Sequence, residues 1–103
     1  MTHKVVISGR ADRQLGNIYD YVAKRASPST AERFTDGILD YCLGFDVFPE
    51  RGMRRDDLSP GLRVIGYKRV VTITFVIEGD EVIISGIFYG GEDYEDSLTI
   101  GEP

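Results

Sequence analysis

Arginine is the residue type in this sequence whose number and spacing point most clearly to chemistry. Five arginines lie within nineteen residues: Arg51, Arg54, Arg55, Arg63 and Arg69. The planar guanidinium group can bind a carboxylate through two parallel hydrogen bonds, so the group suits the recognition of an acidic partner. The plainer alternative is a solvated charged surface, in which Arg54 and Arg55 pair with the adjacent carboxylates Asp56 and Asp57 at little gain in stability.

Side chains that commonly bind metals or act as nucleophiles are rare. The sequence has one histidine, His3, and one cysteine, Cys42, whereas a structural zinc site requires four such ligands. Cys42 lies within the apolar stripe of a predicted helix, and His3 lies close to the N-terminus, so we expect a buried thiol and a surface imidazole. No glycine-rich phosphate-binding loop is present. We therefore predict no metal and no cofactor.

Paired carboxylates near the C-terminus are a further candidate for chemistry. Glu92-Asp93 and Glu95-Asp96 flank Tyr94 and follow Gly90-Gly91. Catalysis by such a pair requires a cleft that shifts the carboxyl pKa values. We expect a solvated acidic tail over residues 92–103 instead, because an acidic run at the end of a chain is typically exposed.

The distribution of charge restricts the class of partner. The formal net charge is −5, yet residues 51–69 carry six basic and two acidic side chains, and residues 70–103 carry eight acidic and no basic ones. A protein that binds a long nucleic acid presents a large basic face, which this acidic chain lacks. The basic segment favours an acidic protein partner and argues against direct, sequence-specific nucleic acid binding. The single cysteine, and the lack of any apolar run of membrane-spanning length, favour the cytoplasm and exclude a membrane partner.

The first half of the chain has helical periodicity. Residues 4–8 are expected to form a short strand, and apolar residues at helical spacing predict a first helix from Ala11 to Ala26. A second helix can start from either of two signals, Ser27 followed by Pro28 or the capping box of Ser29 and Glu32. Its apolar stripe runs to Phe48, and Pro49 is expected to end it. The short connection predicts an antiparallel helical hairpin.

The second half alternates with a period of two and predicts three strands: residues 62–66, 69–78 and a third that ends before Gly90-Gly91. A connection at Tyr67-Lys68 would bring Arg63 close to Arg69. A two-residue turn at Gly79-Asp80 would pair four residues of each flanking strand on one face: Ile77 with Val82, Phe75 with Ile84, Ile73 with Gly86 and Val71 with Phe88. The helices should cover that face.

These elements predict one α+β domain over residues 1–103. Its order is β-α-α-β-β-β, with the helical hairpin packed on one face of a small, twisted, mainly antiparallel sheet.

Three segments resemble the ParE branch of the RelE/ParE toxin superfamily: FPERG at 48–52, RDDLSPGLR at 55–63 and GIFYGGEDYE at 86–95. The resemblance implies a toxin of a type II toxin–antitoxin system that inhibits DNA gyrase, blocks replication and arrests growth, as in plasmid stabilisation. It also implies neutralisation by a ParD-like antitoxin, whose flexible half gains order as it wraps around the toxin. On this basis we expect an inhibitor without catalytic residues. Its contact surfaces are expected to include Arg51, Arg54, Arg55, Arg63, Tyr67, Arg69, Tyr89 and Tyr94.

The RelE-like branch, whose members are ribosome-dependent mRNA endonucleases, is the alternative. Their chemistry uses basic residues on the sheet together with a C-terminal tyrosine, a position that Tyr94 matches. However, the sequence has no lysine, arginine or histidine from Val70 to Pro103 to serve such a reaction. A binding module that has lost its toxic activity also remains compatible with the sequence, and growth arrest upon expression would distinguish it from both toxins.

Overall fold

The computed structural model describes residues 2–90 and 94–95. Within these ranges the elements are, in order, β1 (Lys4–Ile7), α1 (Gly9–Arg25), α2 (Pro28–Leu43), a 3₁₀ turn (Gly44–Asp46), β2 (Met53–Arg54), β3 (Arg63–Tyr67), β4 (Val71–Glu78) and β5 (Glu81–Tyr89). The predicted order is confirmed, with the short β2 as an addition. The predicted acidic tail over 92–103 lies outside the described residues except for Tyr94 and Glu95, which are helical.

Serine caps start both helices. The Ser8 hydroxyl accepts a hydrogen bond from the Ala11 amide at 3.0 Å, so α1 begins at Gly9, two residues before the predicted start. The Ser27 hydroxyl accepts from the Thr30 amide at 3.1 Å, and Pro28 occupies the first helical position. Of the two starts that the sequence offered for α2, the structure therefore adopts Ser27-Pro28.

The end of α2 differs from the prediction. The helix stops at Leu43, and a 3₁₀ turn over Gly44–Asp46 redirects the chain. Phe45 still reaches the core and is fully buried, but Phe48 has a left-handed φ of 57° and is 81% exposed. The apolar spacing continued past the real helix end, so the assignment of Phe48 to the buried stripe was wrong.

The five strands form one sheet in the order β1-β5-β4-β3-β2. β1 runs parallel to β5, and the other neighbours are antiparallel. α1 and α2 pack against each other on one face of this sheet, as predicted. The chain leaves β1 through α1, and β5, the final strand in the element order, lies beside β1 in the same direction.

The β4–β5 register is confirmed for half of its predicted pairs. The turn at Gly79-Asp80 places Ile77 opposite Val82 and Phe75 opposite Ile84. Beyond this point Ser85 is an extra residue in β5, and the bulge shifts the register by one. The predicted partners of Ile73 and Val71 were therefore wrong: Ile73 pairs with Ile87, and Val71 pairs with Tyr89.

The bulge also changes which β5 side chains face the helices. Ile87 joins the core beneath the helices, and its backbone amide donates to the Gln14 side-chain oxygen of α1 at 2.8 Å. Gly86 and Phe88 face the opposite side. A Cβ at position 86 would lie 2.5 Å from the Phe88 ring and 2.7 Å from the Thr74 hydroxyl, so glycine is required there.

The main core lies between the helices and the sheet. Its fully buried members come from both helices, the 3₁₀ turn and the two central strands: Ala11, Ile38, Cys42, Phe45, Ile73, Phe75, Val82, Ile84 and Ile87. The opposite face of the sheet is also partly covered, since Thr74, Leu62 and Phe88 are buried there. Thr74 is satisfied by a 2.9 Å hydrogen bond between its hydroxyl and that of Ser85. In the part of the chain that the structure describes, no helix has the length and apolar character to cross a membrane.

Candidate partner-binding surface

Arg51 binds the end of the preceding helical segment rather than projecting into solvent. Its Nε donates to the Phe48 carbonyl at 2.8 Å, and its Nη2 donates to the carbonyls of Val47 at 2.6 Å and Gly44 at 3.3 Å. The guanidinium also lies 4.9 Å from the centre of the Phe45 ring. Arg51 therefore donates to carbonyls at and just beyond the helix end, of which that of Gly44 also accepts from the Val47 amide at 3.4 Å. Its geometry assigns Arg51 a structural role in fixing the loop.

Arg54 lies on the surface. Its side chain is 60% exposed and pairs with Asp56 at 3.1 Å. The same Asp56 oxygen accepts a hydrogen bond from the Gly61 amide at 2.8 Å, which closes the loop between β2 and β3. This amide contact and the bond from Arg54 lower the pKa of Asp56. Arg54 therefore supports the loop weakly and remains accessible to a partner.

Arg55 is far less exposed than Arg54, with a side chain that is 20% exposed. It binds both carboxylate oxygens of Asp57, at 2.9 and 2.8 Å. Its Nη1 donates to the Tyr94 hydroxyl at 3.1 Å and to the Glu95 carboxylate at 2.5 Å. Hydrogen bonds to Asp57 and Glu95 raise the pKa of Arg55, and the bond from Arg55 lowers the pKa of Asp57. Arg55 thus joins the C-terminal segment to the loop after β2.

Arg63 and Arg69 are not neighbours, which corrects the prediction. Arg63 pairs with Phe75 at one end of the β3–β4 hairpin, while Arg69 lies in the turn at the other end. The turn is centred on Lys68 and Arg69, which have φ values of 51° and 63°, so β3 extends to Tyr67 and β4 begins later than predicted. At about 3.3 Å per residue, the length of β3 separates the two arginines.

Tyr67 and Tyr89 both contact Phe34 and lie among aromatic residues between the helices and the sheet. The centre of the Tyr67 ring is 5.0 Å from that of Tyr41 and 6.5 Å from that of Phe34. The centre of the Tyr89 ring is 5.9 Å from that of Phe34 and 5.4 Å from that of the exposed Tyr21. Both tyrosines are half-buried, so they contribute to packing and present only part of their rings to a partner.

An exposed apolar ridge, defined here as Leu43, Val47 and Phe48, was missed by the sequence reasoning. These side chains are 46%, 43% and 81% exposed, respectively, and lie around the 3₁₀ turn that Arg51 holds. The available signal was Gly44, a residue that disfavours continuation of a helix. Had α2 been ended there, Phe48 would have been placed in the loop rather than in the core.

Cys42 and His3 are the other candidate groups in the sequence. Cys42 is fully buried, as expected, and burial raises the pKa of its thiol to about 12, so it remains protonated at neutral pH. His3 is half-buried rather than exposed. Across residues 2–90 and 94–95, no three acidic, histidine or cysteine side chains converge in a way that could hold a metal ion.

Comparison with known families identifies the relatives of this chain. The family model described as "ParE toxin of type II toxin-antitoxin system, parDE" matches residues 5–94, nearly the entire chain. This chain belongs to the ParE toxin family. A search of curated proteins finds no match.

A solved structure supports the fold of this ParE family member. The chromosomal ParDE toxin–antitoxin system from P. aeruginosa matches with a TM-score of 0.75 and 21% sequence identity, over 86% of this chain and 97% of the other. At this identity the likeness shows that the fold is shared: two helices on a five-stranded, mostly antiparallel sheet.

Proposed function

We propose that this ParE-type toxin inhibits DNA gyrase and blocks replication, and that a ParD-like antitoxin neutralises it in the cytoplasm. The observation that carries the proposal is the family match over residues 5–94. The exposed ridge and the cations beside it supply a surface for protein partners, which an inhibitor that acts by binding requires.

The arrangement around Arg55 favours an inhibitor over a nuclease. RNA cleavage through the 2′-hydroxyl requires a group that accepts a proton and a cation that stabilises the developing charge. Arg55 is already bound to Asp57 and Glu95, and these carboxylates offset its positive charge. The strand segment from Val71 to Tyr89 supplies no basic side chain that could replace it.

The proposal is tested by a supercoiling assay with purified gyrase and the toxin freed of its antitoxin. We expect inhibition with accumulation of cleaved DNA, and reversal when antitoxin is added. Folded toxin that binds antitoxin but leaves supercoiling unchanged would show that gyrase is not the target.

A RelE-like nuclease is the second candidate, and one contact favours it. The Tyr94 hydroxyl lies 3.1 Å from Arg55 Nη1, so a late tyrosine does meet a cation. If this pair cleaved mRNA, Tyr94→Phe would abolish growth arrest, and the unmodified toxin would cleave mRNA on isolated ribosomes. For the gyrase inhibitor we expect the variant to remain toxic and the ribosome assay to show no cleavage.

A further inference from the structure

The ridge of Leu43, Val47 and Phe48 is held in a fixed shape before any partner binds. Arg51 hydrogen-bonds to three carbonyls of this segment, those of Gly44, Val47 and Phe48. Phe48 adopts a left-handed φ of 57°, which is unfavourable for a bulky residue. An aromatic side chain kept exposed at a conformational cost, on a loop fixed by hydrogen bonds, is suited to anchoring a partner with little further loss of entropy.

The charges beside the ridge indicate the chemistry of the partner. Arg54 and Arg63 are directly opposite each other in the β2–β3 pair, and like charges in that arrangement repel. Arg54 is balanced by Asp56. Arg63 forms no ion pair within the described ranges, and its one hydrogen bond goes to the Arg51 carbonyl at 3.4 Å. Asp56 is close enough to interact with the Arg63 charge but forms no ion pair with it. The Arg63 guanidinium, which is connected to the loop that carries the ridge, can therefore bind an acidic side chain supplied by another molecule.

We propose that the ridge, together with Arg63, is the docking surface for the toxin-binding segment of the antitoxin. That segment is amphipathic: its apolar side chains cover Phe48, Val47 and Leu43, and an acidic side chain pairs with Arg63. The inference rests on the proposed function, because it assigns a surface to the partner proposed there. It also shifts the expected centre of recognition from the five arginines to Phe48.

Membership of the ParE family implies that a gene beside that of the toxin encodes the antitoxin. The test compares the affinities of toxin variants for the full-length product of this neighbouring gene, measured by calorimetry. Phe48→Asn removes the ring, and asparagine tolerates the left-handed conformation, so the fold should persist. We expect this variant to bind at least about 30-fold more weakly, as for a central aromatic anchor. Arg63→Gln should weaken binding about 10-fold and reduce the salt dependence of the affinity.

Val70→Ser is the matched control, because Val70 is an exposed apolar residue at the opposite end of the β3–β4 hairpin. It should change the affinity by less than about 2-fold, since surface residues outside an interface contribute little. Circular dichroism and thermal melting verify that each variant is folded.

The outcomes distinguish failure of the surface from failure of the function. If the unmodified toxin binds the neighbouring gene product and Phe48→Asn binds equally well, the docking surface is wrong, and the ParD-like partner stands. If Phe48→Asn abolishes self-association without altering that binding, the ridge joins two copies of the chain, and the proposal is overturned. If the unmodified toxin does not bind the product at all, the proposed partner and this inference both fail.

Discussion

Replacement of Arg51 tests whether the arginine group acts on partners or on the fold. In Arg51→Ala, the carbonyls of Val47 and Phe48 lose hydrogen bonds of 2.6 and 2.8 Å. Each such bond contributes about 1 kcal/mol at a partly exposed site. The weaker bond to Gly44 and the contact with the Phe45 ring add roughly 0.5 kcal/mol together. We therefore expect a loss of about 2.5 kcal/mol in the free energy of unfolding.

Urea denaturation and thermal melting measure this loss. For a domain of this length, about 2.5 kcal/mol corresponds to a decrease in Tm of roughly 10–20 °C. Arg51→Lys should recover at most about half of it, because one ammonium group cannot reach all three carbonyls with the geometry of a planar fork. Arg54→Ala is the matched control, and we expect a change within about 0.5 kcal/mol, as for other exposed positions.

A stability of Arg51→Ala equal to that of Arg54→Ala would refute the structural role assigned to Arg51. The same stability measurement is needed to interpret the binding of antitoxin to Arg51→Ala. If Arg51→Ala is destabilised as expected, any weaker binding of antitoxin follows from a loosened ridge, and direct contact between Arg51 and the partner is not required.

Two further predictions concern the bulge and the Arg55 contacts. Gln14→Leu leaves the buried Ile87 amide without its acceptor and should lower the free energy of unfolding by about 1–3 kcal/mol, whereas Gln14→Glu keeps an acceptor. Urea denaturation and hydrogen exchange at the Ile87 amide measure this difference. Equal stability of the two variants would contradict the prediction. The hydrogen bond from Arg55 lowers the pKa of Asp57 in the folded protein below its ordinary value of 3.8. The Asp57 carboxylate therefore stabilises the fold fully at pH values above 3.8, and this stabilisation is lost as the pH falls through the lower pKa of the folded state. Between pH 5 and pH 2, Tm should therefore fall further for the unmodified protein than for Asp57→Asn, and parallel curves would show that this ion pair does not affect folding.

Periodicity was sufficient to predict the main elements because each long element buries one face. In both helices and in β4 the core-facing apolar residues recur at regular spacing over many positions, which produces a clear pattern, although Thr74 on the other face of β4 is also buried. β2 has only two residues and carries no such pattern, so it could not be predicted. The Ser85 bulge was detectable in principle, because Gly86 within a strand is a recognised signal of irregular pairing.

The functional surface was harder to predict because sequence reveals the charge of a residue but not its partner. Arg51 binds backbone carbonyls, which every sequence contains, and nothing in its neighbours distinguishes this from an exposed side chain. Arg55 binds Glu95, forty residues later, through a contact that only the fold creates. The roles of the eight predicted contact residues in binding remain predictions.

The internal contacts of the arginines determine what an acidic antitoxin segment can gain from each of them. A carboxylate that approaches Arg55 must displace Asp57 or Glu95, so one ion pair replaces another and little free energy is gained. At Arg63 no carboxylate of the described residues has to leave, so a new pair adds to the affinity. Recognition should therefore depend on Arg63, which has no ion-pair partner among the described residues, and on the apolar ridge beside it, even though the basic segment as a whole attracts the partner.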